Sequence, residues 1–91
     1  MRSMSEKKAW KEVADRLRDS PDYTLGICTV LYMLEIEGYI SYKLHRQMSE
    51  PLYARARKRG KRPTFDYLWP LNRHGRRQRI RWCQAKARGG R

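Results

Sequence analysis

The sequence predicts an all-α fold, a small single domain of three to four short helices with a basic C-terminal half. Three observations carry this. Apolar side chains recur at three- and four-residue spacing through most of the chain. Ser, Asn, Pro and Gly stand where those stretches begin and end. A chain of 91 residues holds one modest core and no second domain.

The first helix is expected from Ser3 to Arg18. Ser3 and Glu6 have capping-box spacing, and Trp10, Val13, Ala14 and Leu17 form one apolar stripe. Lys7, Lys8, Lys11, Glu12, Asp15 and Arg18 make the opposite face, solvated and mixed in sign. Ser20-Pro21-Asp22 suits a second start, because serine caps and proline fits the first helical position. That helix runs to Glu37. Ile27, Val30, Leu31 and Leu34 point inward, and Cys28, Met33 and Ile36 widen the apolar face, so it is expected at the centre of the fold. Gly38 supplies a left-handed stop.

Ser41 caps a third helix along Leu44, Met48, Leu52 and Ala56. Pro51 either kinks it or leaves Ser49 to cap a new one. Residues 60–75 read as a connector. Asn72 caps a last helix to about Ala87, with Ile80, Cys83 and Ala87 at helical spacing. Arg79 to Trp82 also fits the period of a strand; the helix-forming composition of Gln84 to Arg88 favours the helix. The last three residues are expected to fray.

Charge is the strongest functional signal: 22 Lys and Arg stand against 9 Asp and Glu, for a net +13. Residues 1–50 hold 8 basic and 8 acidic side chains, whereas residues 51–91 hold 14 basic ones and a single acid, Asp66. Eleven of those 14 are arginine, whose planar fork suits phosphate. The chain therefore divides into a helical scaffold, 3–50, and a basic binding half, 51–91. Arg55, Arg57, Lys58, Arg59, Lys61 and Arg62 form a first cluster, and Arg73, Arg76, Arg77, Arg79 and Arg81 a second. Such clusters bind phosphate by counterion release and carry no base code. The second opens a helix, where positive charge opposes the dipole and a docked anion relieves the conflict. A solvated, self-repelling tail is the bland alternative, but Phe65, Tyr67, Trp69, Ile80 and Trp82 are unlike a disordered tail.

Other classes find no support in the sequence. No stretch reaches the roughly 18–20 apolar residues of a membrane span, and the N-terminus lacks the apolar centre of a signal peptide. A reducing cytoplasm is expected, with Cys28 and Cys83 as thiols. Cys28 reads as a core residue. These cysteines and His45 and His74 match no zinc spacing. With no glycine-rich phosphate loop and no paired carboxylates after Glu50, no catalysis, cofactor or metal is expected. The helix–Gly38–helix unit invites comparison with a helix-turn-helix, but Glu37 and Gln47 stand where that motif is apolar, so a packed αα-hairpin is favoured.

Tyr67-Leu68-Trp69-Pro70, followed by Arg79-Ile80-Arg81-Trp82-Cys83, resembles a group of small proteins encoded by tailed bacteriophages. Glu37-Gly38-Tyr39-Ile40-Ser41 is similar to the same group's preceding helix end, and the likeness covers about residues 23–85. The group has no settled activity, so no residue role follows from it. The resemblance implies a phage or prophage protein working in bacterial cytoplasm.

The expected function is binding of nucleic acid, DNA or RNA, through backbone phosphates by the two basic clusters. Tyr67, Trp69 and Trp82 are available for stacking or docking. The rival is a phage inhibitor docked on an acidic or nucleic-acid-binding surface of a host defence or transcription enzyme. Trp69 has two destinations: packed on the Leu44–Met48–Leu52 stripe, or half exposed between the arginine clusters.

Overall fold

The computed structural model describes residues 3–60 and 68–89. Four helices follow in chain order: α1 (Glu6–Asp19), α2 (Ile27–Ile36), α3 (Tyr42–Lys58) and α4 (Arg73–Ala87), with no strand among the described residues. The fold is all-α, as the periodicity requires, and Arg79–Cys83 is helical.

α1 is capped by Ser5, whose hydroxyl accepts from the Lys8 amide at 3.3 Å. The cap therefore lies at Ser5 rather than Ser3, with Lys8 three residues on, so the expected Ser3–Glu6 capping box does not form. The apolar stripe is as expected: Ala9, Trp10, Val13, Ala14 and Leu17 are all buried.

α2 departs further from expectation, starting at Ile27 behind Gly26 rather than at Ser20-Pro21. The intervening segment is held by its own side chains. The Asp22 amide donates to the Ser20 hydroxyl at 3.1 Å, and the Thr24 amide and hydroxyl donate to Asp22 Oδ1 at 2.9 and 2.6 Å. Such bonds offer the backbone an alternative to the helix. Ile27, Val30, Leu31 and Leu34 are fully buried, but Met33 and Ile36, expected on that face, are exposed, Ile36 at 65%. α2 lies at the side of the bundle, packing on α1 and α3, so a ten-residue helix that is apolar all round keeps one side in water.

The stop at Gly38 forms as predicted. Its φ is +82°, and its amide donates to Glu35 O (3.0 Å) while the Tyr39 amide donates to Leu34 O (2.9 Å). This pair of bonds satisfies the last carbonyls of α2. Arg16 of α1 then reaches past the helix end to both oxygens of Glu37, at 2.7 and 3.1 Å. That bonding holds the Glu37 carboxyl below its usual range and raises the guanidinium of Arg16. His45 Nδ1 lies 2.6 Å from Glu35 Oε1 and ties α3 to α2.

α3 begins at the Ser41 cap, whose hydroxyl accepts from the Leu44 amide at 3.1 Å, and it continues through Pro51 without a second start. Ser49 caps nothing; it is buried and donates to the His45 carbonyl. Asn72 caps α4 by accepting from the Gly75 amide. Gly75 is needed for close approach, because a Cβ there would fall on the Pro70 carbonyl.

α1 and α4 pack along each other. Leu52, Ala56, Leu68, Trp69 and Cys83 are buried in the same cluster as the α1 and α2 stripes, so residues after 50 complete the core as well as carrying charge. Trp69 is buried rather than half exposed, at 7% exposure, and its ring centroid lies 5.9 Å from that of Trp82. Trp82 in turn meets Trp10 edge-on at 5.2 Å. Cys83 is fully buried in the core, and Cys28, read as a core residue, is only partly buried and packs against it.

Candidate nucleic-acid interface

The side chains of α4 separate into faces by helical position. Arg73, Arg77 and Arg81 stand four residues apart and are exposed, which makes one stripe rising about 6 Å per step. Gly75, Arg79 and Cys83 form the buried stripe. Gln78, Trp82 and Lys86 share a third face, from which Trp82 and Lys86 border α3.

Arg79 departs from the expected set of phosphate-binding arginines. It is completely buried, and its guanidinium donates to two backbone carbonyls, Pro70 O at 3.1 Å and Tyr23 O. It therefore joins α4 to the connector before it and to the turn before α2, and it is not available to a phosphate. Burying this cation is compensated in part by Asp22. The carboxyl of Asp22 is held below its ordinary range, chiefly by the hydrogen bonds from Thr24 and further by the charge of Arg79.

Arg76 is partly committed. It donates to Ser20 O at 2.7 Å, and its guanidinium lies 4.8 Å from the centre of the Tyr23 ring. Arg73 lies 5.1 Å from the same centre and donates to the Tyr23 hydroxyl at 2.8 Å. Tyr23, which no charge pattern singles out, thus orients two arginines at the start of α4.

In the first cluster Arg57 pairs with Glu50 at 2.9 Å. Arg59, just past α3, is exposed and donates to Leu68 O at 3.0 Å. Arg55 lies over Trp69, 5.3 Å from the ring centre, and its buried Nε has no hydrogen-bond acceptor among the described residues. Lys58 is exposed. Lys61, Arg62 and Tyr67 lie outside the described residues. Cations at the end of α3 also complement the helix dipole.

The first cluster faces the C-terminal part of α4 across a groove of about 310 Å³ lined by Pro51, Ala54, Arg55, Lys58, Trp82 and Lys86. Lys86 belongs to neither arginine cluster and was not legible as a site residue. Its Nζ lies 5.1 Å from the Trp82 ring centre. Among the described residues no carboxylate comes within ion-pair distance of Arg55, Lys58, Arg77, Arg81 or Lys86. No group of three metal-ligating side chains occurs among them, and no helix is long and apolar enough to cross a membrane.

No protein-family model matches the chain, and no curated protein or solved structure shows a significant match to it.

Proposed function

We propose that this protein binds nucleic acid through backbone phosphates, using the exposed stripe Arg73–Arg77–Arg81 and the cations at the end of α3. The observation that carries the reading is a set of exposed cations on two helices with almost no neighbouring acid. Cations kept close together without counter-charge repel one another, and a polyanion removes that cost.

The log of affinity should fall linearly with the log of salt, with a slope magnitude of about 4–8, one unit for roughly each phosphate met. Arg77→Ala with Arg81→Ala should weaken binding and lower the slope by about 2. Lys7→Ala with Lys11→Ala, in the neutral half, should leave it unchanged. Affinity indifferent to salt, or equal losses from the two pairs, would refute the reading.

A protein partner is the second reading, and α2 favours it. Tyr32, Met33 and Ile36 are large apolar groups left in water on one helix, the kind of patch that marks contact surfaces. Recovery of the same host protein with and without nuclease treatment would select this reading, including that of an inhibitor of a host enzyme. A phage origin and work in bacterial cytoplasm belong to the same proposal, and they rest on the sequence resemblance.

A further inference from the structure

We propose that the groove between α3 and α4 takes one unpaired nucleotide, its base laid against Pro51, Ala54 and Trp82 and its phosphate held by Arg55, Lys58 and Lys86. The inference rests on the nucleic-acid reading above and narrows it to strands whose bases are accessible.

The lining divides into two chemistries. Pro51, Ala54 and the indole of Trp82 are apolar and flat enough to meet a base. Arg55, Lys58 and Lys86 bring positive charge to the same cleft from two helices, with no pairing carboxylate among the described residues. Arg55 adds an independent sign of incompleteness, since its Nε is shielded from solvent without an acceptor among the described residues. Arg and Lys cations already sit over indoles here, Arg55 on Trp69 and Lys86 on Trp82. A cation over a partly exposed aromatic face is held weakly, whereas a base stacked on one is held more strongly. A base on Trp82 displaces Lys86 toward the rim, where a phosphate oxygen is its stronger partner.

A duplex presents phosphates but keeps its base faces stacked inside, so it engages the exposed α4 stripe and leaves the apolar part of the groove unused. A single strand uses both. Stacking on aromatic side chains is sequence-tolerant because every base has a π face, so little base preference is expected.

The test measures binding of the full chain to short single strands of DNA and of RNA, to an abasic DNA strand of equal length and charge, and to the duplex, at one low salt concentration. Base-bearing strands should bind about 5- to 150-fold more tightly than the abasic strand, the range for one stacked base. Ala54 is exposed within the groove and Gln47 is exposed elsewhere on α3. Ala54→Glu should lower single-strand affinity at least about tenfold, and Gln47→Glu, which adds the same charge, should change it less than about twofold. Because Trp82 also packs on Trp10 and Trp69, Ala54→Glu is the decisive variant, and its melting curve checks folding. Equal, salt-sensitive binding of abasic and base-bearing strands, or equal losses from the two glutamates, would overturn the groove proposal and leave phosphate binding standing. Binding of none of the four at low salt would overturn both.

Discussion

At the scale of single residues, arginines on one helix have opposite tasks. Arg77, Arg79 and Arg81 alternate within little more than one helical turn, yet Arg79 is buried on backbone carbonyls while its neighbours are exposed. Arg79→Met should destabilise the domain by about 2–6 kcal/mol, since two carbonyls each lose a donor at roughly 1–3 kcal/mol. That is a large share of the roughly 5–14 kcal/mol available to a chain of this length. Arg77→Met should shift stability by less than about 0.5 kcal/mol while weakening nucleic-acid binding. Urea unfolding separates the two, and equal stability of both variants would mean that Arg79 is not a strut. Charge counting sees three arginines. Only the carbonyls of Tyr23 and Pro70, brought together by the fold, distinguish them.

At the scale of elements, α3 shows which effect wins. A proline inside a helix costs about 3 kcal/mol, and it disfavours helical backbone at Glu50 before it. Against this, Met48 lies before Pro51 and Leu52 and Ala56 after it, all buried at 2% or less. Burying Met and Leu contributes about 1.5–3 kcal/mol each, so the helix continues and the stripe stays in register. Pro51→Ala should therefore raise stability by about 1–3 kcal/mol, read as a higher Tm with unchanged helical circular dichroism. A lower Tm would show that the Pro51 ring packs better than an intact backbone bond would. α2 teaches the converse. Its end was legible because glycine at a left-handed position is a local requirement. Its start was not, because Ser20-Pro21-Asp22 satisfies the rules for a cap yet forms a turn whose carbonyls at Ser20 and Tyr23 serve Arg76 and Arg79 of α4.

At the scale of the whole molecule, the charge is segregated while the core is shared. A net +13 on 91 residues repels itself, and added salt screens that repulsion within a Debye length of about 10 Å at 0.1 M. Raising potassium chloride should therefore stabilise the isolated protein even as it weakens nucleic-acid binding, two responses of opposite sign. Relief of about 1 kcal/mol would move Tm by about 4–8 °C. A Tm that falls with salt would show instead that the ion pairs of the neutral half, such as Arg16 with Glu12 and Glu37, dominate stability.

The helical class, three of the four apolar stripes, the caps at Ser41 and Asn72, the stop at Gly38 and the uneven charge follow from local residue type and spacing. Each of these depends on neighbours within about one helical turn, where residue type and spacing dictate geometry. The tertiary structure decided which arginines are exposed, which side of α2 stays in water, that Cys83 rather than Cys28 is fully buried, and that Lys86 joins Arg55, Lys58 and Trp82 around one groove. Those outcomes turn on which surfaces meet across the bundle. A side chain's periodicity gives its angle about its own helix, whereas its burial depends on whether another helix lies in that direction.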